Sequence, residues 1–451
     1  MSDFIWDELE PEPQIAIPEI PDEVPPSLHA CVPGDLIRND SGSVYVCTRA
    51  YPLTCPDADA ALVHDPGMAL ARLAPTFPGL PDFGNLRSGD CAFLDSETTG
   101  LGYNAVPFMI GVGTFERPRK EQASQAASSA FPSDSRNHNA DEAPTHFVVR
   151  QLFAHHPRHE SAVLQHLQEL LAGKPVCVSF NGNRFDIPLI RSRFETSRYH
   201  FPELPLADPF ETQPPLSLDL LPLARKIWRR RIGSCALSNC EARILGLQRT
   251  HADVDGAQIP GIYLQYLHSG KADEVGRVFY HNRQDIVSMS FLLRSLVRCA
   301  DSATSRVVER LSGEEALSLG MALLREARWS DAERLLVFAT RALDGSDHHA
   351  VSFKALALHY KRQKRWREAT ETWERWLSTT VQDSVDPYVE LAKYYEWRAK
   401  DIGQAEMYTR WALHVHRSAP RSHRAQRIQA DLEYRLRRLE RKKASAKRIS
   451  D

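Results

Sequence analysis

Between residues 89 and 300 the apolar positions fall into short continuous runs alternating with helical stripes. CAFLD (Cys91–Asp95) and PFMIGVGTF (Pro107–Phe115) have the length and composition of buried strands. HFVVRQLF (His146–Phe153) and PVCVSF (Pro175–Phe180) repeat the pattern. Between the last two, Val163, Leu164, Leu167, Leu170 and Leu171 recur at helical spacing over Glu160–Leu171. Helical patterns return at 186–197, 217–231, 235–245 and 272–297. Three antiparallel strands, then a helix, then another strand predict an α/β domain with a mixed sheet over 89–300. Residues 117–144 interrupt it with Ser, Ala, Asn and charge and no aliphatic period, and are expected to be a disordered insertion. Ahead of it, residues 29–88 read as a lead-in segment with a small hairpin around SVYVCTR, and 1–28 as an acidic, Pro-rich disordered tail.

After residue 312 the pattern becomes purely helical. Gly320, Leu323, Ala332 and Ala339 recur as Ala357, Tyr360, Ala369 and Trp376, and again more loosely around Tyr394, Ala405 and Ala412. Over 312–420 this resembles tetratricopeptide (TPR) repeats, whose stacked helical pairs make concave binding surfaces. Residues 421–451 read as one basic helix, either a solvated cap or a nucleic-acid contact.

Composition changes this picture little, and charge somewhat more. The 451 residues carry a net charge of -2, which hides an acidic start and a basic end. No apolar run reaches the roughly 18 residues of a membrane helix, and the first residues lack a signal peptide's basic and apolar regions, so a cytoplasmic protein is expected. The eight cysteines are mostly isolated within apolar runs and read as reduced core thiols. Cys235 and Cys240 lack the second pair that a zinc site requires.

Four acids stand out against this background. Asp95 and Glu97 lie two apart at the end of an apolar strand and so share a face. Asp186 follows the strand PVCVSF by a short loop, and Asp285 lies in the late helix. Carboxylates gathered in apolar surroundings repel one another unless cations sit among them, and a pair of divalent ions is the simplest remedy. His281, four residues before Asp285, shares its helix face and is the candidate general base; Tyr280 is the competitor. Thr98 and Thr99, followed by Gly100, let the chain turn and bring backbone N–H groups toward a phosphate. Asn181 is a candidate to orient a sugar, unless it serves the turn alone, and Phe185 to wedge against a base. Arg229 and Arg230, in a stretch with Arg225, Lys226, Trp228 and Arg231, are candidates to track a phosphate backbone while the indole stacks. Ser217 reads as the cap of that helix and Asp219 as a supporting acid.

Taken in order, D-x-E-T-T-G, N-x-x-x-F-D and H-N-x-x-D resemble the DEDD 3′–5′ exonucleases, and the intervening sequence resembles their YprB-type ribonuclease H-like branch, which carries C-terminal TPR-like repeats. The resemblance spans most of residues 60–440. It implies an RNase H-like mixed five-stranded sheet with flanking helices, followed by an all-α repeat domain. It also implies two Mg²⁺ or Mn²⁺ ions, with Asp95 bridging both, Glu97 and Asp285 on the first and Asp186 on the second. The implied substrate is a single-stranded nucleic-acid end, with DNA expected. The implied partner on the repeats is a protein, with a helicase and a role in DNA repair suggested, and no membrane is involved. The base departs from the family, because His281-x3-Asp285 and Tyr280-x4-Asp285 invert its two usual spacings. A TPR adaptor with an inactive or end-binding nuclease fold and an RNA-trimming enzyme are the alternatives.

Overall fold

The computed structural model describes residues 25–53, 64–100, 102, 105–117, 144–305, 307–379, 384–417 and 423–450. Nearly all of the expected acidic tail, and residues 118–143 of the expected insertion, lie outside the described residues.

The sheet has seven strands rather than five: β1 (Asp35–Asn39), β2 (Gly42–Pro52), β3 (Cys91–Thr98), β4 (Pro107–Glu116), β5 (His146–Phe153), β6 (Val176–Ser179) and β7 (Leu216–Asp219). Their order is β1-β2-β5-β4-β3-β6-β7, antiparallel from β1 to β3 and parallel from β3 to β7. The two additional strands are the hairpin expected as a lead-in. β2 pairs along the whole of β5, from Tyr45 opposite Phe153 to Pro52 opposite His146, which covers an edge that would otherwise be open.

The last strand is a second correction. Leu216–Asp219 was expected to begin a helix, but Pro214 and Pro215 hold the approaching chain extended and the segment pairs parallel to β6. The helix starts only at Leu220, and Asp219 rather than Ser217 caps it, accepting the Leu221 N–H at 3.1 Å.

The helices of this domain are α1 (Glu160–Leu171), α2 (Asp186–His200), α3 (Leu220–Ile232), α4 (Ile259–Ser269) and α5 (Val275–Thr304). Strand alternation sends Ala92, Leu94, Ile110 and Val112 to one face, against Val163 and Leu167 of α1 and Ile190 and Phe194 of α2. Phe93, Phe147, Val178 and Leu218 go to the other, against α3 and α5. Gly111 and Gly113 of β4 let α5 approach that face closely. A Cβ at Gly111 would lie 2.2 Å from Ile286 Cδ1, and one at Gly113 would lie 2.5 Å from Ile286 Cγ2.

Beyond α5 the chain forms three helical pairs: α6 (Gly313–Arg325) with α7 (Trp329–Ala342), α8 (His349–Arg362) with α9 (Trp366–Thr379), and α10 (Asp386–Tyr394) with α11 (Ile402–His416). The recurring Ala332, Ala339, Ala369, Ala405 and Ala412 are all fully buried where the helices cross. The third pair is less regular because a π-helical turn, Tyr395–Ala399, follows α10. The basic helix α12 (His423–Ser450) packs on α11 as a cap. Arg435, Arg438 and Lys442 converge at 2.7–2.9 Å on the buried carboxylate of Glu396, and Lys443 pairs with Glu406. These four basic side chains are therefore used within the fold. No helix among the described residues is long and apolar enough to cross a membrane.

Candidate active site

β3 delivers Asp95 and Glu97 on the face turned toward α5. Each belongs to the alternation that buries Phe93, and Glu97 is itself only 9% exposed. A shift of register between Glu97 and Thr98 ends regular pairing with β4 there. Asp186 is the first residue of α2, where a helix N-terminus favours a carboxylate, and it is also buried. α5 brings in His281, Asn282 and Asp285 from across the sheet.

Burial raises the pKa of all four acids, and at Asp95 and Glu97 the neighbouring carboxylates add to it. Asp95 is held well above the ordinary aspartate range by burial, then by the charges of Asp285, Glu97 and Asp186. Glu97 is pushed up to about 8 by burial and by Asp285 and Asp186. Asp186 rises to about 6 through burial, against a lowering hydrogen bond from Ser96. Asp285 is raised by burial despite the opposing charge of Arg249. Such a set has the hardness and charge that a divalent cation needs. The side chains do not yet stand as ready ligands, however. Among the described residues no three His, Cys, Asp or Glu groups are disposed to grip an ion.

Three of the acids are engaged by protein donors. Asn282 Nδ2 donates to Asp95 Oδ2 at 2.9 Å, and its own Oδ1 accepts from Gln151 Nε2 at 3.0 Å. Ser96 Oγ donates to Asp186 Oδ1 at 2.5 Å. Arg249 Nη2 donates to Asp285 Oδ1. Arg249 is clamped in turn by Glu241, through Nε at 2.6 Å and Nη2 at 2.8 Å. None of Ser96, Gln151, Glu241, Arg249, Asp253 or Asn282 was singled out from the sequence. The one available signal was Asn282, a polar residue between His281 and Asp285 in H-N-x-x-D.

His281 stands between Asp253 and Asp285. Its Nδ1 is 2.8 Å from Asp253 Oδ1 and its Nε2 is 3.9 Å from Asp285 Oδ2. A carboxylate can only accept, so Nδ1 carries the hydrogen and, in the neutral ring, Nε2 presents its lone pair toward the acids. Asp253 stays ionised. Burial raises its pKa, but the hydrogen bond from His281 and the Arg249 charge outweigh this and lower it. Tyr280 is committed elsewhere, with its hydroxyl accepting the Thr250 N–H at 3.1 Å.

The other candidates divide. Thr98 Oγ1 donates to Gly100 O, and Thr99 exchanges hydrogen bonds with Val106, so both close the loop beside Glu97. Asn181 adopts a left-handed φ of 71° and gives its N–H to Asp219, which accounts for it as a turn residue. Phe185 is half-buried immediately before Asp186. Arg229 and Arg230 sit in the last turn of α3, about 14 Å along the helix from its start near the site. Trp228 is fully buried and donates to Glu315 at 2.9 Å, so its ring is not available to stack on a base.

Residues 138–297, which hold Asp186, His281 and Asp285, match the RNase_H_2 family of the RNase H superfamily. Over 320 residues the chain is 25% identical to an uncharacterized protein, YprB, of Bacillus subtilis (strain 168). That match covers 69% of this chain and 66% of the relative, just under two thirds of its length. The chain thus carries an RNase H superfamily domain, which suggests a nuclease, followed by an all-helical region.

Proposed function

We propose that this protein is a divalent-metal-dependent 3′–5′ exonuclease of the DEDD type acting on single-stranded ends, with DNA as the favoured substrate. The observation that carries this reading is the group of Asp95, Glu97, Asp186 and Asp285, side by side at one end of the sheet, Glu97 and Asp186 buried and Asp95 and Asp285 partly buried, with His281 next to Asp285. These four residues would hold two Mg²⁺ or Mn²⁺ ions. Once bound, the ions supply Lewis-acid stabilisation of charge at the phosphoryl group and help to generate the attacking nucleophile.

The chain's own residues supply the rest. His281 Nε2 accepts a proton from the attacking water, and Asp253 holds the ring in the required tautomer and stabilises the imidazolium. Asn282, anchored by Gln151, fixes the rotamer of Asp95. Phe185, half-buried just before Asp186, is the side chain against which a terminal base would stack. The helical pairs, read as TPR-like, offer a surface for a protein partner, for which the resemblance suggests a helicase and a place in DNA repair.

The test is incubation of 5′-labelled single-stranded DNA and RNA with the protein and Mg²⁺, Mn²⁺ or EDTA, beside Asp95→Ala. A metal-dependent ladder of shortened DNA that the variant does not make is expected. A ladder that the variant also makes would overturn the site. Equal trimming of RNA would shift the substrate, and no product with any metal would favour an adaptor that only binds ends.

A further inference from the structure

Of the four acids, only Asp285 forms an ion pair among the described residues, while Glu97 feels the charge of Arg249 without pairing with it. Asp95 and Asp186 are held by neutral donors, Asn282 and Ser96. The cation is Arg249, and its position is not adventitious. Its side chain is only 12% exposed, and Glu241, only 1% exposed, grips it through two nitrogens. Its remaining nitrogen, Nη1, donates to Asp253 Oδ2 at 3.4 Å; it also lies 3.2 Å from His281 Nδ1, which carries its own hydrogen and so does not accept from it. Arg249 is thus tethered independently of Asp285 and cannot swing away when that carboxylate is needed elsewhere.

This geometry has a consequence for metal loading. Oδ1 of Asp285 is occupied by a fixed positive charge, and its Oδ2 faces His281. A divalent ion that uses Asp285 must either compete with Arg249 for Oδ1 or share the carboxylate with it through Oδ2, and in both cases it stays near a guanidinium that Glu241 keeps in place. The competition and the nearby charge each weaken binding of that ion, and neither applies directly to Asp186, which loses only a hydroxyl donor. We infer that Arg249, clamped by Glu241, is the resident counter-ion of Asp285 and sets the affinity of the divalent ion that this carboxylate would hold. It is a positioning residue: it stabilises the metal-free site and makes one of the two ions the weaker. The inference rests on the metal-binding reading above and adds the residue that governs it.

The experiment is calorimetric titration of MnCl₂ into the full-length protein without nucleic acid, for wild type, Arg249→Gln, the double variant Glu241→Gln/Arg249→Gln, and Asp95→Asn. The double variant replaces the buried ion pair by an amide pair, so that Glu241 is not left as an unpaired charge and the protein folds if the single variant does not. Wild type is expected to bind Mn²⁺ with one weaker component. The double variant should tighten that component about tenfold or more, the ratio that about 1.4 kcal/mol produces. In EDTA its unfolding temperature should fall below that of wild type, and saturating Mn²⁺ should recover more of that loss than it adds to wild type. Affinity equal to or weaker than wild type would overturn the role of Arg249 while leaving the metal site standing. Wild-type binding that Asp95→Asn does not reduce would remove the metal reading itself, and the inference with it.

Discussion

Asn282 lies directly over Gly111, so closely that a single methyl group on Gly111 would stand 2.3 Å from its Oδ1. Gly111 is also the residue paired across the sheet with Asp95, the acid that Asn282 holds. Strand pairing and helix docking therefore meet at one point, and the missing side chain on β4 sets how deep α5 sits. Gly111→Ala cannot be absorbed by rotation, because the same methyl would meet Ile286 Cδ1 at 2.2 Å. α5 must move outward, taking Asp285 and His281 with it. We expect a loss of about 2–3 kcal/mol in stability from overpacking, read by urea unfolding, and a larger proportional loss of nuclease rate in the fraction that remains folded.

The hydrogen bond from Asn282 to Asp95 makes a separate prediction about charge. Asn282→Asp replaces the donor by a fifth carboxylate at the same place, fully buried and close in shape. The metal-free site should become more repulsive, and a divalent ion should relieve it. The variant should therefore unfold at lower temperature than wild type in EDTA and recover more of the difference in Mn²⁺. A Tm gap that is the same in both buffers would show that Asn282 matters only as packing.

The part of this site that depends on local pattern was legible in the sequence. Asp95 and Glu97 follow from strand alternation, and the pairing of His281 with Asp285 follows from helix periodicity, which the 3.9 Å separation reflects. The part that depends on chain reversal was not. Glu241 and Arg249 are eight residues apart with a π turn and a loop between them, and no repeat of 2 or 3.6 places them together. The same limit explains β7. Leu216–Asp219 has only four residues, so its strand character comes from β6 beside it rather than from its own pattern. Trp228 was misread for a related reason, because a tryptophan among arginines looks exposed until α6 is packed against it.

That contact makes its own prediction. Trp228 and Arg231 of α3 both reach Glu315 of α6, at 2.9 and 2.8 Å, and Glu315 also closes the cap of α6 by accepting the Ser312 N–H. Glu315 thus ties the sheet domain to the helical pairs, beside the Arg328–Pro75 and His348–Arg230 hydrogen bonds and a shared apolar core. Trp228→Phe keeps most of the ring but removes the donor and leaves a small cavity, and should cost about 2 kcal/mol in stability. Affinity for single-stranded DNA, measured by fluorescence anisotropy, should not change. A variant of normal stability with weakened DNA binding would instead give the indole the stacking role.

His64 predicts how the domain responds to acid. Its ring is buried between Phe147 and Phe291, with centroids 4.6 and 4.4 Å away, and its Nδ1 lies 2.6 Å from Ser290 Oγ. Burial lowers its pKa from 6.5 to about 3. Above pH 6.5 the ring is neutral in both the folded and the unfolded chain and contributes no pH dependence. Between 6.5 and 3 the unfolded chain takes up a proton that the folded one refuses, so stability falls as pH falls. The slope from this group approaches about 1.4 kcal/mol per pH unit below pH 5.5. His64→Phe keeps the stack and removes the proton site, and Ser290 still donates to Val287 O. Other titrating groups act alike in both proteins, so the difference between their urea-unfolding free energies isolates His64. That difference should shift in favour of the variant by about 1 kcal/mol or more between pH 6.5 and 5.0. Parallel curves over this range would mean that His64 can be protonated in place, and that the aromatic sandwich opens to admit the charge.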